Sequence, residues 1–114
     1  MMNKKYRIKK SEEIELVMKK GYSKANRYFI VYKYKNPTNQ HFRMAVSVGK
    51  KIGIAVIRNQ IKRRIRAITS MHKHCIPKNF DYFIITRIGC ADLDYNEFKK
   101  NLEHIYKLMN MIPK

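Results

Sequence analysis

The chain has 114 residues, 45% of them hydrophobic, which suits one domain around a modest core. Its 26 lysines and arginines stand against 8 acidic residues, a net charge of +18 that excludes an ordinary near-neutral surface. Like charges at that density repel one another and are tolerated chiefly when a polyanion takes them up, so nucleic acid is the expected partner.

The imbalance is local. Residues 1–70 hold 19 basic and 3 acidic side chains (+16), while 71–114 hold 7 and 5 (+2). From Leu16 to Phe80 there is no carboxylate, yet that stretch carries 16 lysines and arginines. The opening MMNKKYRIKK lacks the apolar region of a secretory signal, and no run approaches the ~18 apolar residues of a membrane span. The expectation is a cytoplasmic protein without membrane contact, with Cys75 and Cys90 as reduced thiols.

In chain order, the first element is a helix opening at Ser11, which can cap it. Glu12 and Glu13 sit in its first turn against the positive dipole end, and Lys19, Lys20 and Gly21 close it. Ile14, Val17 and Met18 share one face. YFIVYKYK (28–35) alternates as a strand, with Tyr28, Ile30, Tyr32 and Tyr34 on one side and Phe29 and Val31 on the other. NPTNQ (36–40) is a turn. FRMAVSV (42–48) is a second strand with Phe42, Met44, Val46 and Val48 facing one way, and DYFIITR (81–87) is an apolar run suited to an inner strand. A last helix follows Asp94, whose pairing with Glu97 is a D-x-x-E variant of the capping box; Phe98, Leu102, Ile105 and Tyr106 keep helical spacing. Helices at both ends and between strands define an α+β domain spanning 1–114, with residues 1–5 and 111–114 expected to be flexible.

The segment RNQIKRRIRAI (58–68) is a helix of a particular kind. At 100° per residue Ile57, Ile61, Ile65 and Ile68 fall within about 80° of arc and must face the sheet. Arg58, Asn59, Lys62 and Arg66 occupy the adjoining arc, which Arg63 continues. A solvated helix intersperses glutamate at i±4 to form favourable pairs; here Arg58–Lys62 and Lys62–Arg66 are like-charged. A cationic face without those carboxylates favours a phosphate-binding surface, which Lys50 and Lys51 in a glycine-flanked loop would extend.

The segment KKIGIAVIRNQIKRRIRAI resembles the signature of the bacterial ribonuclease P protein component, the small basic subunit of the ribonucleoprotein that trims tRNA 5′ leaders. RIKKSEEIELVMKKG, NRYFIVYK and FRMAVSVGKK match in order and spacing, so the similarity covers roughly residues 6–87. The resemblance implies a small ribosomal-protein-like fold, a central β-sheet with three helices and a left-handed βαβ crossover, against the usual right-handed rule. It implies that Lys50, Lys51, Arg58, Asn59, Lys62, Arg63 and Arg66 bind the catalytic RNA. It also implies a cleft in which Ile14 and Met18 on the helix face Ile30 and Tyr32 on the strand, guiding the single-stranded leader of precursor tRNA. Relatives often carry aromatic residues at the positions of Ile14 and Met18, which leaves Tyr32 as the principal stacking platform. Ile54 replaces a polar residue common before the basic helix, so its side-chain cap is expected to be missing.

Phosphodiester cleavage by a protein needs carboxylates to hold Mg²⁺, or a histidine pair for acid–base work. With none of the acids between 16 and 80, and Asp92 and Asp94 flanking a helix start, the catalytic centre is expected in the RNA, which would also hold most of the Mg²⁺. The protein would bind, position, neutralise phosphate crowding and lower the Mg²⁺ requirement, needing no obligate protein partner. His72-x-His74-Cys75 gathers three potential zinc ligands, but no second pair at ligand spacing follows, and these read as solvent-facing residues after a helix. Two rival readings use the same basic helix: a ribosomal-type structural clamp, and a DNA-binding regulator. The regulator fits less well, because a recognition helix offers neutral polar groups to base edges and this one offers mainly Asn59 and Gln60.

Overall fold

The computed structural model describes residues 4–114. After a short 3₁₀ turn at Lys4–Tyr6 come helix α1 (Ser11–Lys20), strands β1 (Tyr22–Ala25), β2 (Phe29–Lys35) and β3 (Arg43–Ser47), helix α2 (Ala55–Met71), strand β4 (Phe80–Thr86) and helix α3 (Tyr95–Leu108). The four strands form one mixed sheet in the order β1-β2-β4-β3. β1 with β2 and β2 with β4 run antiparallel; β3 and β4 are parallel, joined through α2 as a βαβ unit. The expected α+β class, three helices and inner position of residues 81–87 are all present.

Alternation along the strands separates two faces. Phe29, Val31, Met44, Tyr82 and Ile84 join Ile61, Ile65 and Ile68 of α2 and Phe98, Leu102, Ile105 and Tyr106 of α3 in the main core. The alternate residues, Ile30, Tyr32, Phe83, Ile85, Ala45 and Arg43, lie on the opposite face. There α1 packs against β2 and β4 through Val17, which is 1% exposed. The approach is close: a Cβ on Gly21, just past α1, would lie 2.3 Å from the Val17 carbonyl oxygen and 2.7 Å from that of Lys33.

Three expectations are corrected. Ser11 does not cap α1; the capping position is Lys10, whose carbonyl accepts from Glu13 N at 3.1 Å while no side chain caps the helix. β1 had no counterpart in the sequence reading. The tail at 111–114 is not loose at its start: Met111 and Ile112 are buried in the core. Asn110 takes φ of 58° after α3, Asn110 N donates to Lys107 O and Met111 N to Tyr106 O, a Schellman turn whose apolar residue folds back under the helix. At the other end, residues 1–3 of the expected flexible segment 1–5 lie outside the described residues.

α3 starts as expected, with Asp94 accepting from Glu97 N at 2.8 Å. α2 begins after Ile54 with no side-chain cap.

Candidate nucleic-acid interface

Helix α2 seats Ile61, Ile65 and Ile68 in the core, and this fixes where its cations point. Arg58, Lys62 and Arg66 are half-buried, while Asn59 and Arg63 are exposed. Arg64 lies beside the isoleucine stripe and turns the other way, its guanidinium 5.0 Å from the Phe98 ring centre and 5.8 Å from that of Tyr95. Arg64 is thus committed to packing against α3, and the remaining cations of α2 form one face. Arg58 Nε is buried without a hydrogen-bond partner among the described residues. Burial lowers the proton affinity of Arg66 from its ordinary value, and the charge of Arg7 lowers it further.

Lys50 and Lys51 stand exposed on a 3₁₀ turn before α2. A cavity of about 390 Å³ separates that turn from the end of β4, where Arg87 and the exposed Ile88 adjoin the two lysines. Arg87 and Ile88 were not legible in the sequence, because they reach this place through the parallel β3–β4 pairing, which sets Ile85 beside Ser47.

On the α1 side, Ile30 and Tyr32 share the sheet face with their partners Ile85 and Phe83. The Tyr32 and Phe83 rings lie 6.4 Å apart, tilted by 33°. Ile14 is half-buried and Met18 is 41% exposed. All four proposed cleft residues lie on the side where α1 crosses the sheet.

Beside the buried Val17, a polar junction ties α1 to the sheet. Asp81, 3% exposed, accepts from Arg43 Nε at 3.1 Å and Nη2 at 2.8 Å, from Asn39 Nδ2 at 2.8 Å and from Asn36 Nδ2 at 3.1 Å. Burial alone would raise the Asp81 pKa, but these hydrogen bonds outweigh it and hold the carboxyl below its usual range. Arg43 Nη2 also reaches Glu13 Oε2 on α1 at 2.6 Å.

The ribonuclease P family model matches residues 2–110. The ribonuclease P protein component of Macrococcus caseolyticus is 49% identical over 107 residues, covering 94% of this chain and 92% of that one. The Staphylococcus aureus RNase P protein superposes with a TM-score of 0.89 at 41% identity, covering 94% and 97% of the two chains. That of Thermotoga maritima gives 0.80 at 31%, covering 90% and 96%. The chain belongs to the ribonuclease P protein family.

A ribonuclease P protein is an RNA-binding subunit of a tRNA-processing ribonucleoprotein, and the carboxylates of this one are placed accordingly. Glu12 and Glu13 lie in the first turn of α1, Asp81 is neutralised by Arg43, and Asp94 and Glu97 open α3. Glu103 Oε2 lies 2.6 Å from His72 Nε2, which takes that histidine out of the His72–Cys75 cluster. Among the described residues no three histidine, cysteine or acidic side chains are grouped to hold a metal ion. No described helix is long and apolar enough to cross a membrane.

Proposed function

We propose that this chain is a positioning and charge-neutralising subunit of ribonuclease P. Its α2 face (Arg58, Asn59, Lys62, Arg63 and Arg66) with Lys50 and Lys51 binds the catalytic RNA. The groove of Ile14, Met18, Ile30 and Tyr32 receives the single-stranded 5′ leader of precursor tRNA. The observation that carries this reading is the separation of charge: one helix face offers phosphate-binding cations without carboxylates, while most of the acids serve helix starts and ion pairs.

The chemistry then belongs to the RNA, with Mg²⁺ held mainly by its phosphates. Packed phosphates raise the Mg²⁺ needed to fold and load a catalytic RNA. Basic side chains brought among them take over part of that screening, so the metal requirement falls. Work of this kind places the protein in the cytoplasm, beside newly made tRNA, with no obligate protein partner.

Reconstitution tests the reading. Catalytic RNA plus this protein should remove the 5′ leader of precursor tRNA at lower Mg²⁺ than RNA alone, and protein alone should cleave nothing. Correct 5′ ends produced by protein after exhaustive RNA removal would overturn it, as would an unchanged Mg²⁺ requirement.

A further inference from the structure

The proposed leader cleft has α1 on one side and the sheet on the other, so its width depends on what fixes the helix. Before α1 the chain runs beside β3: Arg7 bridges Met44 in parallel register, and Ile8 N donates to Met44 O at 2.9 Å. Further along, Val17 is buried where α1 packs on the sheet. Between these two attachments in the chain stands Glu13, whose Oε2 accepts from Arg43 Nη2 at 2.6 Å.

This ion pair adjoins the cleft on both of its walls. On the helix, Glu13 directly precedes Ile14. On the sheet, Arg43 pairs with Asp81, and the two lie two residues along from Ala45 and Phe83 on the same face. Phe83 in turn pairs with Tyr32. At about 3.3 Å per strand residue, the Arg43–Asp81 pair sits roughly 7 Å along the strands from the Tyr32–Phe83 pair. Ile14 and Ala45 line one cavity, so the residue after Glu13 adjoins that row.

The sheet end of the ion pair is rigid. Arg43 meets the buried Asp81 through Nε at 3.1 Å and Nη2 at 2.8 Å, and Asn39 and Asn36 donate to the same carboxylate at 2.8 and 3.1 Å. Swinging the guanidinium toward solvent would leave an interior charge unpaired. Arg43 Nη2 is therefore a fixed point, and Glu13 is the side chain that brings α1 to it. Glu12 and Glu15, by contrast, are exposed and form no ion pair among the described residues.

We propose that Arg43 and Glu13 are positioning residues for the 5′ leader: their ion pair sets the spacing of α1 from the sheet at which a single strand meets both walls. Both act without touching the RNA. The proposal rests on the leader-cleft reading above and supplies the cleft with its dimension. Van der Waals attraction is steep, and a radial gap of about 0.5–1 Å forfeits a quarter to a half of it. A helix released by that distance would lose hold of the leader while keeping its fold. The sign of the effect separates positioning from charge. Deleting a carboxylate beside a polyanion strengthens binding if Coulomb attraction alone operates. Deleting this one should weaken it.

The experiment measures holoenzyme affinity for tRNA with and without a short leader, at one salt concentration. Glu13→Gln removes the charge; Glu13→Asp keeps it but is one methylene too short to reach Arg43. Each should weaken leader-bearing tRNA about threefold to fivefold, the range a partly solvated ion pair supports, and leave leaderless tRNA unchanged. Glu15→Gln makes the same charge change on the same helix and should weaken neither substrate. Either Glu13 variant suffices if the other fails to fold by circular dichroism. Coupling then gives a readout that a merely structural role would not move. Beside Ile14→Ala and Met18→Ala together, which remove the helix wall, Glu13→Gln should cause no further loss of leader affinity. Tighter or unchanged leader binding in both Glu13 variants would overturn the proposal, as would full additivity with the wall variants or equal losses on both substrates. Tyr32→Ala keeps that result distinct from failure of the cleft itself. If Tyr32→Ala weakens leader-bearing tRNA while the Glu13 variants do not, the cleft stands and its positioning by Glu13 falls. If Tyr32→Ala has no effect either, the cleft reading fails and takes the proposal with it.

Discussion

Arg43 Nη2 reaches Glu13 Oε2 at 2.6 Å and Asp81 Oδ2 at 2.8 Å, so one guanidinium ties α1 to the sheet. The two contacts differ in environment, since the Asp81 side chain is 4% exposed and that of Glu13 35%. Removing Arg43 strands the charge of Asp81 in the interior, which typically costs about 3–5 kcal/mol. Removing Glu13 breaks a partly solvated pair worth at most about 1 kcal/mol. Arg43→Ala should therefore lose several times more stability in urea unfolding than Glu13→Gln. Equal losses would mean that Asp81 does not dominate this junction.

Asp81 also sets an acid limit. Its folded pKa is depressed relative to an unfolded aspartate near ~3.9. Its contribution to stability is then fully present above that unfolded value and is lost as pH falls through the folded one. In Asp81→Asn this contribution is absent at every pH. The stability gap between wild type and Asp81→Asn should stay constant from pH 7 to about 5 and narrow below about 4. A gap that widens on acidification would show that burial, rather than the four hydrogen bonds from Arg43, Asn39 and Asn36, governs this carboxyl.

How much of this was legible in the sequence depends on how local each signal is. The cationic arc of α2, the Asp94 cap and the alternation in β2 and β3 arise within a few residues, and all appear in the structure. β1 was illegible because its four residues are all exposed and carry no apolar face; only pairing with β2 makes them a strand. The burial of Met111 was readable in principle, from an asparagine followed by apolar residues where a helix ends. The meetings of Arg43 with Asp81 and of Arg7 with Arg66 could not be read. They join positions 38 and 59 residues apart, and the parallel crossover and the bridge to Met44 bring them together.

Because Arg58, Lys62 and Arg66 share the face that Arg64 leaves, each should contact phosphate independently of core packing. Changing any one to Ala should weaken binding to the catalytic RNA. It should also reduce the slope of log K against log salt by ~0.7–0.9 per lost contact. Circular dichroism checks that the helix persists. Three folded variants with the wild-type slope would make this face a merely solvated one.

The leader cleft can be tested through its single proposed platform. Tyr32 stands beside Phe83 on the sheet face, half-buried, while Met18 on α1 is 41% exposed. A base lying there stacks on Tyr32, a contact worth ~1–3 kcal/mol, so Tyr32→Ala should weaken holoenzyme binding of leader-bearing tRNA roughly 5- to 150-fold. Mature tRNA has no leader, and its affinity should hardly move; assembly with the catalytic RNA should hardly move either. Met18→Phe should act in the opposite direction, because a ring at this exposed position of α1 gives the strand a second stacking surface. It should tighten the leader-bearing substrate alone. Affinities for tRNA with and without a short leader, measured for wild type and both variants, decide the matter. If Tyr32→Ala weakens both substrates equally, the loss comes from folding or assembly and the cleft lies elsewhere.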